Sequence, residues 1–171
     1  MTYAHSAGAV VVVETSAETL FDYLDDPERL GSHMQKPSMM MMGGRMTYGF
    51  DEARGRSVGS VIRMGGSVMG LHLSVAEEVV EREPPLSKTW ETRGATRLLV
   101  IDGYRMGFEI SPSGTHCRLR VFIEYDDPPS TAGRILAWLF APLYARWCVN
   151  RMAADAAQRF NRGLKRGKNM S

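Results

Sequence analysis

Apolar and polar positions follow two rhythms along this chain. AVVVVE (9–14) is β-branched and stops at Thr15-Ser16, which predicts a first strand. SAETLFDYLDD then repeats Leu20, Phe21 and Leu24 at helical spacing behind Ser16 as N-cap. DPERLGSHM restarts with Pro27 at a favoured first-turn position, predicting a second short helix that Gly31 ends. From residue 44 to 125 the period becomes two. RMTYGF sets Met46, Tyr48 and Phe50 on one face, and SVIRM is a short strand closing at Gly65-Gly66, a hairpin signal. VMGLHLSVAEEVVERE predicts a long strand with Leu71, Leu73 and Val75 on one face and His72 and Ser74 on the other. After the turn at Pro84-Pro85 comes a strand carrying Trp90. RLLVIDGYRMGFEI groups Tyr104, Met106, Phe108 and Ile110 opposite Arg105 and Glu109, with Asp102-Gly103 read as a mid-strand bulge. SPSG (111–114) marks a turn, and THCRLRVFIEY alternates Cys117, Leu119, Val121 and Ile123 with charges.

Residues 131–163 return to helical spacing. In the second half Arg151, Asp155, Arg159 and Arg162 form an outer face opposite Val149, Met152, Ala153, Ala156 and Phe160. The first half is apolar nearly all round, and Pro142 is expected to kink it. The pattern therefore predicts an α+β fold: a curved antiparallel sheet of about seven strands wrapped around a long C-terminal helix, with two short helices after the first strand. One domain spans 1–171, with 1–7 and 164–171 expected to be flexible tails. A bent sheet gripping one helix is expected to leave a hollow between them.

Composition narrows the function. A net charge of +2 gives no reason to expect nucleic acid as a partner. Residues 131–171 nevertheless hold eight Lys/Arg against one acid, so the remaining 130 residues carry −5. Two cysteines without ligand spacing and no basic leader suggest a cytoplasmic protein with reduced thiols. The longest apolar stretch, 135–149, is too short to span a bilayer and contains Pro142 and Arg146, so no stable membrane insertion is expected.

The order of elements resembles the START-like, helix-grip superfamily of polyketide cyclase/dehydrase and lipid-transport proteins. VVVETSAETLFDYLDDPERL looks like its opening strand and paired short helices. EEVVEREPPLSKTWE, the SPSGTHCRLRVFIEY hairpin and a Leu-, Trp- and Arg-rich terminal helix after DPP agree over residues 8–163. Where many relatives carry a tryptophan, this chain has Met34. The resemblance implies a ligand cavity between sheet and helix, and implies no catalytic residue.

Four consecutive methionines, Met39–Met42, invite three readings: a soft-metal site, a membrane anchor, or a deformable cavity wall. No His or Cys lies within 36–46 to complete a metal site, and Gly43-Gly44 cut an anchor short, which leaves an adaptable wall or plain packing. No metal or cofactor is expected. The expected cavity lining is Met40, Met42, Met46, Tyr48, Ile62, Met64, Leu71, Leu73, Trp90, Tyr104, Met106, Phe108, Leu119 and Val121 from the sheet side, with Leu139, Leu143 and Trp147 from the helix. Tyr48 and Tyr104 are its hydrogen-bonding candidates. Two further readings stay open: a cyclase- or dehydratase-type enzyme on a polyketide-like chain, and an interaction module or homodimer using the apolar half of the helix. An enzyme predicts a titratable side chain with a perturbed pKa inside the cavity, a carrier an almost wholly apolar lining.

Overall fold

The computed structural model describes residues 2–30, 45–68, 71–94, 96, 98 and 101–167; the side chains at 45, 46, 68, 71, 132 and 162–167 lie outside the description. Among the described residues ten elements follow in order: β1 (His5–Val13), α1 (Ala17–Leu24), α2 (Pro27–Leu30), β2 (Arg45–Phe50), β3 (Val61–Val68), β4 (Leu71–Glu83), β5 (Ser87–Thr92), β6 (Tyr104–Ser113), β7 (His116–Tyr125) and α3 (Thr131–Gly167). The strands form one antiparallel sheet in the order β1-β7-β6-β5-β4-β3-β2. This is the expected helix-grip arrangement.

Local chemistry explains most boundaries. Ser16 caps α1 by accepting from the Thr19 amide at 3.3 Å. The β6–β7 turn is tighter than SPSG suggests: both strands run on to Ser113 and His116, and Gly114 takes the left-handed conformation at φ +61°. Gly65 and Gly66 do not close a hairpin. They are paired ladder residues, opposite Ser74 and Leu73, and β3 continues to Val68. Asp102 is not a strand bulge either, since it precedes β6 and its side chain accepts from the Thr96 hydroxyl at 2.8 Å. The expected N-terminal tail is shorter than residues 1–7, because β1 begins at His5, paired with Tyr125. At the other end α3 continues to Gly167, into the expected C-terminal tail.

A bulge does occur in β4. Val79 pairs with Trp90 but Glu81, not Val80, pairs with Thr89, so alternation changes phase at Val80. Beyond it Arg82 lies opposite Lys88.

The core sits between the sheet and α3, with α1 closing one end. Helix α3 runs through Pro142 and lies closest to β1 and β7. Its buried stripe is Ala137, Ala141, Ala145, Cys148, Val149, Met152, Ala153 and Ala156. Small side chains let the helix approach the sheet closely. Phe21 of α1 packs edge-on against Phe108 of β6, with ring centroids 5.6 Å apart.

Candidate functional site

Strand register brings a row of side chains across the sheet. Phe50 lies opposite Ile62, Ile62 opposite Glu77, and Glu77 opposite Thr92. The Thr92 hydroxyl accepts from the Tyr104 amide at 3.2 Å, and Tyr104 lies opposite Tyr125. Directly opposed residues share a face. In the middle of this row, among mainly apolar neighbours, is a buried carboxylate. Glu77 is 7% exposed and accepts a hydrogen bond from the Tyr104 hydroxyl, two strands away. The neighbouring Trp90 indole also favours its charged form.

Burial pushes the Glu77 carboxyl up to about 7, while the hydrogen bonds from Tyr104 and Trp90 and the charge of Lys88 pull it down. Four other groups feel its charge. Burial and then Glu77 raise the Tyr104 hydroxyl well above the usual phenol range, and the same two causes raise Tyr48. On α3, one turn apart, Tyr144 and Cys148 are hydrogen-bonded to each other. Tyr144 is raised first by Cys148 and then by burial; Cys148 is pushed by burial up to about 12, with Glu77 adding to it and the Tyr144 hydrogen bond opposing it. Near neutral pH the tyrosines and the thiol are therefore neutral, and Glu77 is poised between its two states. That arrangement can orient a polar group, and it can exchange one proton.

A second buried polar cluster closes the end under α1. Lys88 Nζ donates to Asp25 Oδ1 at 2.8 Å and to the Asp25 carbonyl at 3.1 Å, and Arg82 donates to both carboxylate oxygens at 3.2 and 2.9 Å. Burial works against the Asp25 carboxylate, but the Arg82 and Lys88 hydrogen bonds outweigh it and hold its pKa below the ordinary value. Every donor here faces Asp25, which is the C-cap of α1, so this cluster fastens the helix to the sheet.

The sequence-based lining divides into three groups. Ile62, Met64, Trp90, Tyr104, Met106, Phe108, Leu119 and Val121 are buried, and Tyr48, Leu73 and Trp147 are half-buried. Phe108 belongs to the packing beneath α1. Leu139 and Leu143 require correction: they are 48% and 59% exposed, because the alanine stripe rather than the leucines turns inward. Met40 and Met42, with the rest of the methionine cluster and Met34, lie outside the described residues, as do the side chains of Met46 and Leu71. Sequence reasoning missed Glu77, Tyr144, Cys148 and Lys88. The signal for Glu77 was present: Leu71, Leu73, Val75 and Val79 set the inner phase, and an acid occupies position 77 of the same series.

A groove of about 540 Å3 lies elsewhere, at the β1–β7 edge between Arg120, Phe122 and the α3 residues Arg146 and Asn150. None of the described residues of the expected lining borders it. Among the described residues no three His, Cys, Asp or Glu side chains converge as a metal site, and no helix is long and apolar enough to cross a membrane.

Comparison with solved structures finds the same fold repeatedly. TTHA0849 from Thermus thermophilus superposes with a TM-score of 0.66 at 14% identity, covering 93% of this chain and 99% of that one. Norcoclaurine synthase from Thalictrum flavum, in complex with dopamine and hydroxybenzaldehyde, gives 0.61 at 17% identity over 90% and 84%. Ginseng major latex-like protein 151 from Panax ginseng gives 0.51 at 13% identity over 83% and 95%. Comparison with curated protein sequences finds no match. A family model described as polyketide cyclase / dehydrase and lipid transport matches residues 4–164. With nearly its whole length matched, the chain belongs to the polyketide cyclase/dehydrase and lipid-transport family.

Proposed function

We propose that this protein binds a hydrophobic small molecule bearing one polar group, held between the inner wall of the sheet and α3. The observation that carries this reading is the Glu77–Tyr104 pair, a satisfied polar pair on a wall otherwise built from Ile62, Met64, Val75, Val79, Trp90 and Met106. Burial of the ligand's apolar body supplies affinity, at about 25 cal/mol per Å2 removed from water. The polar pair sets its orientation, since a buried acceptor left without its partner costs about 1–3 kcal/mol.

The test compares a naphthol with naphthalene, which differ by one hydroxyl. Wild type is expected to bind the naphthol about tenfold more tightly, and Glu77→Leu combined with Tyr104→Phe to bind both alike. Equal affinity of wild type for the two, or no binding of either, would overturn the reading.

One observation favours a second reading, acid–base catalysis on a polyketide-like chain. A carboxyl pushed up to about 7 is matched to proton exchange near neutral pH. Here Glu77 would take and return a proton while Tyr104 holds the oxygen that gains charge. Under this reading Glu77→Gln keeps ligand binding and loses turnover.

A further inference from the structure

Among the described residues, the first half of α3 presents an exposed apolar surface. Ile135, Leu136, Trp138, Leu139, Phe140 and Leu143 are all between 46% and 78% exposed, and Trp138 is the most exposed of them. Around the helix they form an almost unbroken arc on the side away from the buried Ala137, Ala141 and Ala145. No charged residue interrupts the stretch from Ile135 to Ala145. Arg134 stands one turn before Trp138, and Arg146 one turn beyond Leu143; both are exposed. A contiguous apolar face of this kind marks an interaction site.

Charge selects the occupant. The apolar arc is carried by the most basic part of the molecule, with eight Lys/Arg to one acid over residues 131–171, whereas the rest of the chain carries −5. The two acids just before the helix are directed at the start of β1: Asp126 accepts from the Ala4 amide at 2.9 Å, and Asp127 lies 3.2 Å from the His5 ring nitrogen. A second copy is a poor match. A two-fold axis brings this face against the same face of a second copy, basic segment against basic segment, with no acid between residues 131 and 154 to compensate. An anionic lipid surface satisfies both features. The apolar arc sinks to the level of the acyl chains, Trp138 lies at the headgroup boundary, and the arginines meet lipid phosphates.

We propose that the exposed face of α3 between Arg134 and Arg146 docks the protein in the plane of an anionic membrane, without crossing it. This inference stands apart from the ligand reading, because none of these side chains belongs to the Glu77 cluster. The experiment is co-sedimentation of the full chain with vesicles of phosphatidylcholine alone and of phosphatidylcholine with about one-quarter phosphatidylserine. Wild type is expected to sediment with the anionic vesicles and far less with the neutral ones, and to be released by high salt. The double variant Trp138→Glu, Leu143→Glu is expected to bind at least about tenfold more weakly, with an unchanged circular dichroism spectrum because both positions are exposed. Arg134→Gln with Arg146→Gln gives a second, milder variant that loses the preference for phosphatidylserine. No sedimentation of wild type, or equal sedimentation of wild type and the glutamate variant, would overturn the proposal. So would light scattering that shows a wild-type dimer which the glutamate variant abolishes, since the face would then belong to a second copy.

Discussion

The Tyr104 hydroxyl on β6 donates to the Glu77 carboxylate on β4, reaching across β5, and both residues are buried. Register alone creates this meeting. Glu77 is opposite Thr92, and Thr92 holds the Tyr104 backbone amide at 3.2 Å, so the two side chains emerge on the same face from strands with one strand between them. The pair has consequences for stability as well as for ligands.

The first concerns pH. The Glu77 carboxyl moves from an ordinary 4.5 to about 7 on folding. Between these values the folded state holds a proton that the unfolded state has lost, so stability falls as pH rises through this window and is level above it. The whole effect is about 3 kcal/mol. Glu77→Gln is expected to flatten that fall, measured by urea unfolding at a series of pH values. Tyr104→Phe removes a hydrogen bond that favours the charged form, so its window should extend to higher pH.

The Asp25 cluster predicts an asymmetry between partners. Asp25→Ala strands Lys88, which is 2% exposed, and should cost about 3–5 kcal/mol. Lys88→Met leaves Asp25 paired with Arg82 at 2.9 Å and should cost clearly less. Because the Asp25 pKa is lowered on folding, its stabilising contribution is present above the unfolded value and disappears as pH falls through the folded one. The wild-type acid limb should therefore be steeper than that of Asp25→Asn. Chemical denaturation of the variants at neutral and acidic pH checks both statements.

Gly107 is fixed by space. A methyl group there would lie 2.6 Å from the Lys88 carbonyl oxygen and 2.8 Å from the Phe122 ring. Gly107→Ala should destabilise by about 1–3 kcal/mol. Adding Phe122→Leu should recover only part of the loss, since the backbone carbonyl cannot withdraw. Thermal melts of the single and double variants decide this.

Both thiols should be silent in the folded protein. Cys148 is pushed up to about 12 by burial, and Cys117, raised by burial as well, donates to the Thr15 carbonyl at 3.2 Å. A disulfide-exchange reagent at neutral pH should modify them only as fast as the chain opens, and at once in denaturant.

How far these features could be read in advance differs by element. Period-two alternation located the strands and their inner faces, because a sheet with one buried face forces every second residue to be apolar. Ser16, Pro27 and the basic outer face of late α3 were equally legible. The first half of α3 was not. When nearly every position is apolar, hydropathy gives the helix no phase and offers Leu139 and Leu143 as inward residues. Close approach to the sheet favoured the smaller Ala137, Ala141 and Ala145 instead. Glu77 escaped for the opposite reason: an acid on an apolar face reads as a solvated residue until a partner such as Tyr104 arrives from a strand distant in sequence.

The bulge at Val80 has a last consequence, for the sign of the charge beneath α1. Were the ladder regular, Glu81 would fall opposite Lys88 and project inward, and Arg82 would turn to solvent. The additional residue reverses this, sending Arg82 to Asp25 and over the Phe21 ring at 5.2 Å while Glu81 reaches the outer-face Arg105. An offset of one position in a strand of thirteen thus selects cation over anion for the interior, and with it the polarity of the anchor that α1 needs.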